Sequence, residues 1–229
     1  MSTPRGERQR PAIRAGRRAA LQTTAAVRAG RVSADGAFDR FMPAELRDVS
    51  ARYWTPLPVV QRVATWLRDA RARTVVDIGS GAGKFCVAGA LLSRCRFIGL
   101  EHRASLVAAA RELADTFDVA DRVTFVHGHV GTTQMPSGDA YYVFNPFGEY
   151  SIDAARFAEP DIAFTPEGHG ADIASVTSLL SSAPAGTIVV TYNGLGGRFP
   201  PGYLEIDVLR RLPGTLRLWR RGESAVRGE

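Results

Sequence analysis

Residues 74 to 84 read Thr-Val-Val-Asp-Ile-Gly-Ser-Gly-Ala-Gly-Lys, and few structures are compatible with that order. The β-branched run favours extended backbone. Three glycines at alternate positions then allow a tight turn with no Cβ atoms in the way. The apolar run from Phe85 to Leu92 continues as a buried helix. The segment therefore ends a strand, turns, and opens a helix whose first N–H groups face a ligand. A nucleotide-like cofactor suits such a turn. Glu101 ends a second strand-like run, Arg96-Phe-Ile-Gly-Leu-Glu, where a carboxylate accepts hydrogen bonds from the two hydroxyls of a ribose.

Downstream of Thr74, short β-rich runs alternate with helical segments, as in a parallel sheet covered on both faces. The pattern predicts strands at 74–78, 96–100, 123–127, 139–144 and 187–192, with helices near 83–93, 103–117 and 171–182. Tyr203 to Leu209 and Leu216 to Arg220 read as two further strands. The turn Leu212-Pro-Gly-Thr joins them, so the chain closes with an antiparallel hairpin. The expected architecture is α/β, with a seven-stranded, mostly parallel sheet containing one reversed strand.

The length of 229 residues suits one core plus appendages. The boundaries expected are 1–37, 38–71 and 72–229. The net charge of +6 sits almost wholly in the first part, where Arg5, Arg8, Arg10, Arg14, Arg17, Arg18, Arg28 and Arg31 face only Glu7 and Asp35. Residues 38–229 balance 21 basic against 21 acidic side chains, and Lys84 is the only lysine. Few large apolar groups occur in 1–37, which predicts a disordered extension, a nucleic-acid-attracting arm or a targeting segment. From Phe38 to Ala70 the pattern is helical, with Pro43 in a first turn. It is interrupted by Trp54-Thr-Pro-Leu-Pro and resumes from Val59 to Arg71. No run is long and apolar enough to span a bilayer, so the expected location is cytoplasmic with no membrane partner. Cys86 and Cys95 have no metal-site or disulfide spacing and are expected as buried thiols. No cluster with metal-ligand spacing is present, so the expected metal complement is none.

The glycine spacing, Gly79, Gly81 and Gly83, differs from the G-x-G-x-x-G of dinucleotide sites. Asp77 beside the turn disfavours a diphosphate and favours a ligand with an amino group and a sulfonium. S-adenosylmethionine meets that description better than NAD or ATP. Val75-Val-Asp-Ile-Gly-Ser-Gly-Ala-Gly-Lys-Phe, Gly99-Leu-Glu101 and Asp139-Ala-Tyr-Tyr-Val-Phe-Asn-Pro-Phe147 together resemble the class I, Rossmann-like S-adenosylmethionine-dependent methyltransferases over roughly residues 52–220. By that resemblance Asp77, Gly79, Ser80, Gly81 and Gly83 hold the methionine end, and Glu101 takes the ribose. His102 sits near the adenine. Where such enzymes often present an acid to adenine, this chain has His127-Gly-His-Val, making His129 a second adenine candidate. Thr55, after Trp54, lids the methionine end.

Asn145, Pro146 and Phe147 are similar to the N-P-P-[YF] motif of methyltransferases that modify amino groups, with one proline missing. The resemblance implies that Asn145 touches the cofactor and orients an acceptor nitrogen, a catalytic role shared with Pro146 and Phe147. A similar glycine motif and Asn-Phe pair occur in the non-SET histone lysine methyltransferases. Tyr192 and Asn193 are second-tier candidates for a substrate rim. The implied activity is methyl transfer to an unidentified acceptor, with a small molecule slightly favoured. The alternative is a non-catalytic cofactor-binding module whose basic arm engages nucleic acid. An NAD-dependent oxidoreductase fits less well, since the chain has no Tyr-x-x-x-Lys pair.

Overall fold

The computed structural model describes residues 6–31, 35–144, 166–212 and 214–223. Helix α1 (Gly6–Arg28) is followed by three single turns, α2 (Gly36–Asp39), α3 (Ala44–Arg47) and α4 (Ser50–Tyr53), and then by α5 (Leu57–Asp69). The alternating region comprises β1 (Thr74–Ile78), α6 (Lys84–Leu92), β2 (Arg96–Glu101), α7 (Ala104–Thr116), β3 (Val123–His127) and β4 (Ala140–Phe144). It continues through α8 (Pro166–Ser182), β5 (Ile188–Tyr192), β6 (Tyr203–Leu212) and β7 (Gly214–Arg221).

Among the described residues the strands form one seven-stranded sheet in the order β3-β2-β1-β4-β5-β7-β6. Strands β1 to β5 pair in parallel, and β7 runs antiparallel to both β5 and β6. The expected α/β architecture with one reversed strand is thus the observed one, and the strand boundaries agree to within a residue or so for the parallel strands. Strand order reverses between β1 and β4, which places a crevice at the carboxyl ends of the central strands.

Two apolar layers cover the sheet. One joins α1, α5, α6 and α7 through Val27, Leu57, Val63, Phe85, Val87, Ala110 and Phe97. The other packs Val176 and Leu180 of α8 on Val76, Ile78, Val143 and Val189. Helix α6 is buried from Lys84 through Leu91, because α1 and α5 cover the face that the sheet does not. This explains why its sequence is apolar nearly all round rather than on one stripe.

The expectation of a disordered 1–37 is corrected for Gly6–Arg28, which is helical. Alanine-rich sequence favours helix intrinsically, and Ala20, Thr23 and Val27 form a narrow buried stripe. Small residues carry that stripe, so a count of large apolar groups overlooks it. The single lead-in helix expected from Phe38 is also corrected. It is three separate turns, with Pro43 as the extended N-cap of α3 and Val49 leaving helical geometry before α4. Helix α5 begins two residues earlier than expected, since Pro58 fits a first turn, where its missing N–H is not needed.

The lead-in is fastened to the domain by the sole lysine. Lys84 Nζ lies 2.7 Å from Asp35 Oδ1 and 2.7 Å from Asp39 Oδ1, and donates to Ser50 Oγ at 3.0 Å. Asp35 Oδ1 also accepts the Leu57 amide at 2.8 Å, capping α5. Lys84 and Asp39 are both buried. Removing one member of a buried pair strands the other, which costs about 3–5 kcal/mol. Lys84→Met is therefore expected to lower the melting temperature by roughly 10 °C in calorimetry, at about 2–4 °C per kcal/mol for a chain of this size. Arg62→Ala breaks the Arg62–Asp207 pair, whose side chains are each 38% exposed, and is expected to cost no more than about 1 kcal/mol. Equal losses in the two variants would contradict the fastening role.

Candidate functional site

The carboxyl ends of β1 and β2 meet at the glycine turn. Gly79 and Ser80 both donate their amides to Leu100 O at 2.9 Å, and Gly83 donates to Ser80 O at 2.9 Å. Gly81, at φ 54°, has the Trp54 ring against it, and a Cβ there would stand 2.3 Å from that ring. Only glycine allows this approach. Trp54 is itself held by its indole N–H on Leu46 O at 3.1 Å. Gly79, by contrast, is exposed, with nothing within 4 Å of its Cβ position. The turn is thus covered by Trp54 on one side and open on the other.

Glu101 clamps this turn. Its Oε2 accepts the Gly81 amide at 2.9 Å, while Oε1 accepts the Arg103 amide and Arg103 Nε, both at 3.0 Å. Burial pushes the carboxyl up, but the Arg103 guanidinium and hydrogen bonds, with a smaller contribution from His102, hold it below its ordinary value. It stays ionised.

Asp77 lies under the turn, paired across the sheet with Gly99 and Tyr142. It is 3% exposed, and among the described residues its hydrogen-bond partner is the Cys86 thiol, which donates to Oδ2 at 3.4 Å. Burial raises its pKa to about 7; the thiol opposes this and nearby Glu101 adds to it. Cys86 is in turn pushed well above its usual range by burial and by Asp77. Ser80 Oγ is buried with no hydrogen-bond partner among the described residues. A carboxyl that faces no cation among the described residues and a hydroxyl orphaned among them, both buried beside an open glycine, are features that an amino- or sulfonium-bearing ligand would satisfy.

Thr55 is buried, its hydroxyl 2.9 Å from Tyr142 OH. Tyr142 stacks on Phe85 at 3.7 Å between centroids. Beyond Glu101, His102 and His129 approach to 5.6 Å between rings, His129 Nε2 lies 3.3 Å from buried Asp172 Oδ1 on α8, and His127 Nε2 contacts His102 O at 3.0 Å. Burial lowers the His102 pKa despite Glu101, with Arg103 and His129 reinforcing the fall. The ring is therefore neutral at pH 7.

The structure brings Asp77, Gly79, Ser80, Gly81, Gly83, Glu101, His102 and His129 to the strand ends, with Thr55 behind Tyr142. Asn145, Pro146 and Phe147 lie outside the described residues. Tyr192 does not form a rim: it is 2% exposed and packs on Phe144. Asn193 accepts the Thr215 amide at 3.0 Å, at φ 63°, and serves the hairpin turn. Its left-handed backbone and amide bond are those of a turn former. Cys86, Arg103, Tyr142 and Asp172 are site neighbours that sequence reasoning missed. Arg103 alone had a signal, standing two residues beyond Glu101. Both thiols are free and buried, as expected, and no group able to hold a metal occurs among the described residues.

No family profile matches the chain, and no curated protein does. Solved structures do. An RNA methyltransferase from Salinibacter ruber in complex with S-adenosyl-L-homocysteine is 22% identical, with a TM-score of 0.53 over 76% of this chain and 97% of that one. A mutant of MtNAS in complex with S-adenosylmethionine is 13% identical, with a TM-score of 0.51 over 90% of this chain and 73% of that one. TrmN from Thermus thermophilus is 18% identical, with a TM-score of 0.51 over 74% and 55% respectively. The chain has the class I S-adenosylmethionine-dependent methyltransferase fold.

Raised from 3.8 to about 7, Asp77 makes folding stability depend on pH. The unfolded chain loses this proton near pH 4 while the folded chain keeps it to about 7. The stabilisation is full below pH 4 and is lost as pH rises through 7, by a total on the order of 4 kcal/mol. Asp77→Asn is expected to flatten that fall in denaturant titrations from pH 4 to 7. An unchanged slope would mean that Asp77 ionises normally.

Proposed function

We propose that the protein is a methyltransferase that uses S-adenosylmethionine. The observation that carries this reading is Asp77: a carboxyl buried beneath an open glycine turn, facing no cation among the described residues, its pKa raised to about 7 by burial and by Glu101. A cationic ligand entering over Gly79 converts that cost into attraction.

Asp77, Ser80 and the backbone of residues 79–83 would hold the methionine end. Glu101, kept ionised by Arg103, would accept from ribose hydroxyls, and neutral His102 would offer a ring face to adenine with His129 beside it. When bound, the cofactor supplies a methyl group on a positively charged sulfur, open to attack by a nucleophile of the acceptor. The chain's part is alignment and exclusion of water. Trp54 walls the turn, and Thr55 with Tyr142 keeps the buried side closed. Asn145, Pro146 and Phe147, at the end of β4, would orient an acceptor amino group.

Support for a nucleic acid, a protein amine or a metabolite as acceptor comes only by analogy. The neighbours include an RNA methyltransferase, and the N-P-F segment resembles an amino-group motif.

If Asp77 must ionise to meet the ligand, the dissociation constant of S-adenosylmethionine falls about tenfold per pH unit up to about 7 and then levels off, with one proton released on binding. Calorimetry in buffers of differing ionisation enthalpy measures both. Binding that ignores pH, or no binding at all, would sink the assignment. Asn145→Ala is expected to weaken that affinity only slightly and to lower turnover roughly 100-fold, as misalignment does. Tritiated cofactor incubated with RNA, protein and metabolite fractions reads the transfer and its acceptor class. Tight binding with no transfer to any fraction would favour the non-catalytic module.

A further inference from the structure

A second concavity lies at the opposite edge of the sheet. Its arginines stand where strands begin: Arg73 precedes β1, Arg94 precedes β2 and Arg122 precedes β3. Strands five or six residues long separate it from the glycine turn by roughly 17 Å, at about 3.3 Å per residue. The cleft encloses about 700 Å³ and, among the described residues, is lined by six arginines, Arg28, Arg68, Arg71, Arg73, Arg94 and Arg122, and by no carboxylate.

Charge segregation makes this informative, because residues 38–229 are neutral as a whole. Two of the six arginines have structural work. Arg28 Nε donates to Leu91 O at 3.2 Å, and Arg122 Nη1 to Ala90 O at 2.7 Å and Ser93 O at 3.0 Å, closing the carbonyl end of α6. The other four are exposed. Arg68 Nε comes no nearer than 3.9 Å to its neighbour Asp69. Among the described residues, Arg71, Arg73 and Arg94 have no ion pair.

Arg71 is carried into the cleft by the end of α5. It closes α5 in a turn where its own amide donates to Arg68 O at 3.0 Å and the Ala72 amide to Leu67 O at 2.9 Å. It does so at φ 57°, a left-handed position that usually falls to glycine or asparagine. Asp118 closes α7 in the same way, at φ 55°, so this is helix-capping geometry that a non-glycine residue meets at a modest backbone cost.

We propose that this cleft binds nucleic acid through its phosphodiester backbone. Guanidinium groups suit phosphate oxygens in number and geometry, and six of them from separate segments exceed what one phosphate needs. No aromatic ring lines the cleft, so bases find no stacking platform and binding is indifferent to sequence. The concave shape does not match a flat membrane surface. Only Arg28 comes from the first 37 residues, so the site is distinct from a basic arm. It stands whether or not the other edge transfers methyl groups.

The test is anisotropy of a labelled RNA of about 20 nucleotides titrated with the full chain at salt from about 50 to about 200 mM. Arg71, Arg73 and Arg94, with the exposed and loosely paired Arg68, predict a slope of log affinity against log salt near −3. The variant Arg71→Gly/Arg73→Gln/Arg94→Gln is expected to bind at least about tenfold more weakly, with a slope shallower by about 2. Its melting temperature should not fall, since glycine relieves the left-handed strain, and its affinity for S-adenosylmethionine should be unchanged. A control, Arg17→Gln/Arg18→Gln/Arg31→Gln, should bind RNA like the parent chain. The proposal is overturned if the parent chain does not bind RNA, if the cleft variant binds equally well, or if the control alone loses binding. It is also overturned if inorganic pyrophosphate or vesicles containing phosphatidylserine are bound in place of RNA.

Discussion

One carboxylate organises the upper edge of the molecule. Glu101 is 2% exposed, yet both of its oxygens are engaged, one by the Gly81 amide and the other by Arg103 through backbone and side chain. A buried carboxylate keeps its charge only where donors replace water. The glycine turn supplies one of those donors because Gly81 adopts φ 54°. Turn and carboxylate therefore depend on each other: the turn keeps Glu101 ionised, and Glu101 fixes the turn over the end of β1.

The field of that charge reaches Asp77. Two carboxyls at adjacent strand ends, both buried, compete for ionisation, and the arginine went to only one of them. Glu101 stays ionised beside Arg103, while Asp77, with a thiol as partner, keeps its proton to about pH 7. The sole lysine is placed elsewhere. Although Lys84 directly follows the glycines, it turns to Asp35 and Asp39, so the one amine near the turn fastens the lead-in instead of neutralising Asp77. With its charges divided in this way, Asp77 would gain from a cation carried by a ligand, which is the electrostatic basis of the proposed cofactor binding.

Much of this was legible in the sequence where local chemistry and tertiary role coincide. Val75 to Gly83 could hardly be anything but a strand and a turn, and the alternation after it defined the parallel sheet. The reversed β7 was readable from Leu212-Pro-Gly-Thr. What escaped depended on partners distant in sequence. The buried stripe of α1 consists of Ala20, Thr23 and Val27, which carry no strong hydropathy signal until α6 is placed against them. Tyr192 ends β5 just before a loop-forming stretch, and its ring is drawn into the core beside Phe144. The meeting of Asp172 with His129 spans more than forty residues, and nothing local to either announces it.

The two edges of the sheet have opposite electrostatic character for a reason built into the topology. In a parallel sheet with crossover helices, helix N-termini face the carboxyl ends of the strands, and helix C-termini collect at the other edge. Helices α5 and α6 both end beside the arginine cleft, at Asp69 and Leu92. Each brings carbonyls equivalent to about half a negative charge. Arg28 and Arg122 answer the carbonyls of α6 directly, which accounts for two cations. Four more guanidiniums surround the same space with no carboxylate among the lining residues, and helix dipoles of that size cannot balance them. Like charges at close range oppose one another, so gathering them carries an electrostatic cost. The proposed nucleic acid would offset that cost with its phosphates.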